Sequence, residues 1–166
     1  MLNKKNCISM KVSITDQEIA MLNIISSMRS LVSRATGTKD RKISPERGVT
    51  IDLDGLIGEY AYCKANNLFM DIVPTPRSGS YDCVGRSGKK LDIKTTRYEN
   101  GRLLSTLKVN PDIDYYILAI INKNEITFPG YASKSQLIRK ENIVNLGHGE
   151  GYALTQDKLK KFEKLP

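Results

Sequence analysis

The stretch Tyr81-Asp82-Cys83-Val84-Gly85-Arg86-Ser87-Gly88-Lys89-Lys90-Leu91-Asp92-Ile93-Lys94 leaves the chain few options. Two alternating segments flank a Gly-rich turn, the pattern of a β-hairpin, and Gly85 and Gly88 offer positive-φ positions. A five-residue loop, Gly85 to Lys89, pairs Val84 with Lys90, Cys83 with Leu91, Asp82 with Asp92 and Tyr81 with Ile93. Alternation then gathers Tyr81, Cys83, Leu91 and Ile93 on an apolar face, and Asp82, Asp92 and Lys94 on a polar one. A four-residue loop would set Asp82 opposite Leu91 and mix the faces, so the longer loop is preferred.

The register has a chemical consequence. Directly paired residues bring their Cβ atoms to roughly 4.5–5.5 Å. Two carboxylates that close repel unless a cation sits between them. A hard divalent ion such as Mg²⁺ suits them, because it takes oxygen ligands. Lys94 lies on the same face, roughly 6.6 Å along the strand from Asp92. There it can orient a water or steady a developing negative charge. The plain alternative is a solvated Asp82 and an exposed Asp92–Lys94 ion pair worth under about 1 kcal/mol.

A third carboxylate lies upstream, in the segment Ile51 to Ala65. Leu53, Leu56, Ile57, Tyr60, Ala61 and Lys64 follow helical spacing, and Glu59 borders that stripe. Gly55 and Gly58 predict close approach of a neighbouring backbone, since a helix interior otherwise disfavours glycine by roughly 1 kcal/mol. Glu59 by itself reads equally as an ordinary surface glutamate.

Together, Gly58-Glu59-x-Ala61, Asp82 and Asp92-Ile93-Lys94 resemble the PD-(D/E)XK nuclease superfamily. The likeness extends from about Leu53 to Tyr131. One departure is Tyr81, which stands where the superfamily's name has proline. The resemblance implies an α/β fold, a mixed central β-sheet flanked by helices with a restriction-endonuclease-like core. It further implies Glu59, Asp82 and Asp92 as ligands of Mg²⁺ or Mn²⁺, with Lys94 as the catalytic lysine. The expected activity is hydrolysis of nucleic-acid phosphodiesters, with DNA as the partner. Two other readings stay open: a DNA-binding module without catalysis, and a Holliday-junction resolvase acting as a homodimer.

Charge agrees with such a partner. The 26 basic residues exceed the 18 acidic ones, a net +8. A surplus of that size favours a polyanion. It is densest at Arg86, Lys89, Lys90, Lys94 and Arg97, so Arg86, Lys89, Lys90 and Arg97 are the expected phosphate contacts. The turn lacks the P-loop pattern: Cys83 stands in the place of its first glycine and Lys90 in that of its Ser or Thr. Cys7, Cys63 and Cys83 form no zinc pattern and fit a reducing compartment; His148 reads as a loop residue. No signal peptide is evident and the longest apolar run, Tyr115 to Ile121, is far short of a membrane span. An intracellular protein away from membranes is expected.

The length of 166 residues suits one domain: an N-terminal helix and basic loop over 1–48, a catalytic core over 49–132, and a helical part over 133–166. Residues Met1 to Ile14 read as an arm or an edge strand. Thr15-Asp16-Gln17-Glu18 is a capping box opening a helix that stops near Gly37, with Ile19, Leu22, Ile25, Met28, Leu31 and Val32 on one side. Thr38 to Gly48 reads as a polar loop, Phe69 to Val73 as a short strand, and Pro74 to Gly79 as a loop. Leu103 to Val109 reads as a strand or an irregular arm. Asp114 to Ile121 predicts a central strand covered on both faces, followed by a turn at Asn122-Lys123-Asn124. Pro129 marks an edge or a bulge in the strand Ile126 to Tyr131. Helices are expected over Ser133–Lys140 and Thr155–Leu165.

Overall fold

The structure is a computed structural model and describes residues 9–35, 45–73, 81–145, 147 and 149–162. Cys7, His148, the loop 74–79 and the loop residues Lys39, Arg41 and Lys42 lie outside these.

The first helix, α1 (Asp16–Ala35), opens on its capping box. The Glu18 N–H donates to Thr15 Oγ1 at 3.2 Å, and the Thr15 N–H donates to Glu18 Oε2 at 2.7 Å. Its expected stripe splits. Leu22 is buried and Ile19 and Ile25 pack on the core, but Met28 and Leu31 are exposed. The side meeting the next helix runs instead through Glu18, Leu22, Ser26 and Arg29. That next helix, α2 (Pro45–Asn66), starts earlier than expected and takes Pro45 to Gly48 from the expected loop. Pro45 stands at its first position, where a proline's fixed φ and missing N–H cost nothing.

The main sheet has five strands: β1 (Met10–Ser13), β2 (Cys83–Val84), β3 (Lys90–Thr96), β5 (Tyr115–Asn122) and β6 (Glu125–Ser133), in the order β1-β6-β5-β3-β2. It is mixed, β3 and β5 being parallel and the other pairs antiparallel. β5 is central and buried along almost its whole length, as its unbroken apolar run requires. Ile117, Ala119 and Ile121 point to the core under the helices; Tyr116, Leu118 and Ile120 point to a second core on the opposite face. Lys123 turns the β5–β6 hairpin with φ 54°. Between Leu118↔Gly130 and Ile120↔Thr127 the register shifts by one, so Phe128 and Pro129 together oppose Ala119. The bulge read from Pro129 is therefore present, inside the sheet rather than at an edge.

The second face carries a three-stranded sheet, β4 (Leu103–Thr106), β8 (Glu150–Leu154) and β7 (Ile143–Asn145), together with the one-turn α3 (Lys134–Leu137). Only one face of the main sheet is thus covered chiefly by helices. The C-terminal part is strand-rich, contrary to expectation. In place of a helix from Thr155, a 3₁₀ turn spans Gln156–Lys158; Leu159 is then buried and Lys160 bridges to Tyr131. Burying Leu159 and packing Phe162 against Tyr131 outweighs weak helical propensity. Phe69 to Val73 forms no strand; Arg29 Nη2 donates to the Asp71 carbonyl there. Among the described residues no helix is long and apolar enough to cross a membrane.

Candidate active site

The hairpin adopts the register read from the sequence, with Cys83 opposite Leu91 and Val84 opposite Lys90. Gly88 alone supplies a positive φ, 78°; Gly85 closes the turn by hydrogen bonds to Lys89 and Gly88. The ladder changes character at Asp82. Its N–H donates to the Leu91 carbonyl at 2.9 Å, but its carboxylate, not its backbone, accepts the Ile93 N–H at 2.7 Å. The strand therefore ends at Cys83. Tyr81 leaves the apolar face and turns its ring toward Lys90, whose Nζ lies 5.1 Å from the centroid.

Asp82, Asp92 and Lys94 come together as expected. Lys94 Nζ lies 2.7 Å from Asp92 Oδ1. Burial pushes the Asp92 carboxyl above its ordinary range; Lys94 opposes the shift and the neighbouring Asp82 adds to it. Tyr116, opposite Asp92 on β5, is buried and hydrogen-bonds Ser105 of β4; burial and then Asp92 raise its phenol. The site is thus half-buried and acidic at Asp82 and Asp92 and more open at Lys94.

Glu59 is buried on α2 and meets Arg29 of α1. Arg29 Nη1 approaches Glu59 Oε2 to 4.0 Å. Gly58 explains how α2 lies so close to the sheet: a Cβ there would stand 2.3 Å from Thr95 Cγ2. The close neighbour is a side chain, not the backbone expected. Gly55 has nothing within 4 Å. Glu59 and Asp82 both raise the buried Cys83 thiol, behind larger effects of Cys63 and burial, so they flank one residue.

Among the described residues no three His, Cys, Asp or Glu are grouped to hold a metal ion. The donor chemistry of Asp82 and Asp92 nevertheless fits a divalent cation. Both are oxygen donors, and their mutual crowding is what a cation relieves.

Three of the four expected phosphate contacts have polar partners within the protein, and the fourth, Lys90, lies over the Tyr81 ring. Arg97 grips Asp54 with two hydrogen bonds, 2.7 and 2.6 Å. Arg86 Nη2 donates to the Asn66 carbonyl at 3.0 Å, at the C-terminal end of α2, where a cation is favoured. Lys89 Nζ lies 3.4 Å from Asp114 Oδ1. Sequence reasoning missed Arg29, Tyr116 and Ser105. Tyr116 was read only as part of an apolar run, and nothing local in the sequence links Arg29 to Glu59.

No protein-family model matches the chain, and no curated protein matches it.

Proposed function

We propose that the chain is a divalent-metal-dependent nuclease that hydrolyses phosphodiester bonds of DNA, acting as an endonuclease. In this reading the mixed sheet with α2 on one face is a restriction-endonuclease-like core. The observation that carries it is the grouping of Asp82, Asp92 and Lys94 at one end of a short hairpin, with Asp92 driven toward protonation by burial and by Asp82. Asp82 also accepts the Ile93 N–H, a structural role that accounts for its place but not for its charge crowding Asp92.

Asp82 and Asp92 would hold Mg²⁺ or Mn²⁺, with Glu59 the third carboxylate of the set. A divalent ion bound there lowers the pKa of a water and offsets charge building at phosphorus. Lys94, with its ammonium at the open side, orients the attacking water or donates to the developing oxyanion. Tyr116 and Ser105 keep the floor of the site fixed and exclude water from beneath Asp92. Lys89 and Lys90 at the turn would meet flanking phosphates, while Arg86 and Arg97 fix the turn and the far end of β3 against α2.

One observation favours the homodimeric resolvase as a second reading. Met21, Ile24, Met28 and Leu31 form an exposed apolar row along α1.

The test is incubation of the purified protein with closed circular and linear DNA in Mg²⁺, Mn²⁺ or EDTA, beside Asp92→Asn. Cutting of the circle by the wild type with metal, and its loss in EDTA and in Asp92→Asn, is the expected result. Failure to cut any nucleic acid under all conditions overturns the reading.

A further inference from the structure

Beyond Lys94 the same face of β3 continues to Thr96, since Asp92, Lys94 and Thr96 alternate with the helix-facing Leu91, Ile93 and Thr95. Thr96 opens into a cleft of about 440 Å³, walled by Tyr98, Arg102, Leu104 and Thr155. That volume lies in the ordinary range for small-ligand clefts, roughly 300–1,000 Å³.

Tyr98 is 76% exposed. A mobile loop would explain an exposed ring, but this loop is pinned at every turn. The Tyr98 N–H donates to Thr96 Oγ1 at 3.2 Å, and the Gly101 N–H donates to the Tyr98 carbonyl at 2.9 Å. Gln156 Nε2, from the 3₁₀ turn after β8, donates to the carbonyls of Glu99 at 2.8 Å and Gly101 at 3.0 Å. Arg97 is locked to Asp54 on α2. Gly101 lies so close to β3 that a Cβ would come within 2.4 Å of Thr96 Cγ2. The backbone beneath the ring is thus preorganised, and the ring is displayed to solvent at the cleft wall.

We propose that this cleft is a subsite for one unstacked nucleotide of the substrate, its base stacking on Tyr98 and its phosphate meeting Arg102. The inference rests on the nuclease reading and names its substrate class: single-stranded or branched nucleic acid with an unpaired nucleotide near the cleaved bond. A duplex buries its base faces against one another, so an aromatic platform has nothing to stack on there, whereas every unpaired base has a free π-face. Tyr98 follows Lys94 by four residues and lies two residues beyond the end of β3. Arg102 is exposed on the same wall and supplies the charge a phosphate needs.

The experiment uses the full chain in EDTA, so that nothing is cut. The probes are a short single strand carrying one 2-aminopurine and the same sequence as a blunt duplex. Affinity is read by anisotropy and stacking by 2-aminopurine quenching. Tyr98→Ala should lose roughly tenfold in single-strand affinity together with the quench, and keep its duplex affinity. Tyr98→Phe should retain both. Unchanged Tyr98→Ala binding and quench, in a wild type that binds and cuts nucleic acid, overturns the subsite and leaves the nuclease standing. Equal losses on strand and duplex overturn the single-strand preference. A wild type that binds neither probe overturns both.

Discussion

Lys94 Nζ lies 2.7 Å from Asp92 Oδ1, so the strand that carries the half-buried carboxylate also carries its counter-charge. In the proposed site the lysine holds one of the oxygens that a metal would use. Lys94→Met keeps the apolar stem and removes that competitor. Metal affinity, read by calorimetry, should hold or tighten. Single-turnover cleavage at saturating metal should fall by a factor on the order of 10², the usual loss for one transition-state donor. Cleavage at the wild-type rate would reduce Lys94 to a surface charge.

Two glycines of α2 should respond oppositely to the same substitution. Gly58→Ala puts a methyl 2.3 Å from Thr95 Cγ2, a β-branched group with little freedom to turn. The helix must lift from β3, at a cost of about 1–3 kcal/mol. Gly55→Ala meets nothing within 4 Å and gains helix propensity, about 0.5–1 kcal/mol. Urea unfolding separates them. Equal midpoints for both variants would mean that α2 does not rest on Thr95.

Glu18 should make the helix layer acid-sensitive. Its carboxylate accepts hydrogen bonds from Lys64, Tyr60 and the Thr15 N–H, in that order of effect, which holds its pKa down from 4.5 to about 2. A folded-state pKa below the unfolded one favours the folded protein above the ordinary value. That contribution disappears as pH falls from 4.5 to about 2. Glu18→Gln should therefore melt below the wild type at neutral pH, and the two curves should converge toward pH 2. A constant gap at all pH values would assign the effect to capping geometry rather than charge.

What the sequence revealed and what it concealed follow from range. The hairpin register was legible because glycines and alternation are local and agree with each other. Tyr81 was not, because Asp82 substitutes a carboxylate for a backbone acceptor and ends the strand early. β5 was legible from seven consecutive apolar positions, Tyr115 to Ile121, and Pro129 from the ladder it interrupts. β7 and β8 went unread: they are three and five residues long, with little alternation to display. The C-terminal helix failed because Leu159 and Phe162 find partners far away in the chain. Of the site, Asp82, Asp92 and Lys94 were readable from one hairpin. The Arg29–Glu59 pairing and the Tyr116–Ser105 bond join separate elements and leave no trace in spacing.

The pairing of β1 with β6 carries a kinetic consequence. Lys11 Nζ meets Glu125 Oε1 at 3.0 Å across 114 positions, and the whole edge strand depends on that distant match. Closing so long a loop costs entropy before any ladder bond repays it. The Asp82–Asp92 hairpin spans a tenth of that separation and can nucleate on its own turn. During synthesis the Asp82–Asp92 hairpin is therefore free to form while the N-terminal strand still waits for residues 125–128 to emerge. The sheet is closed last at the edge farthest from the site.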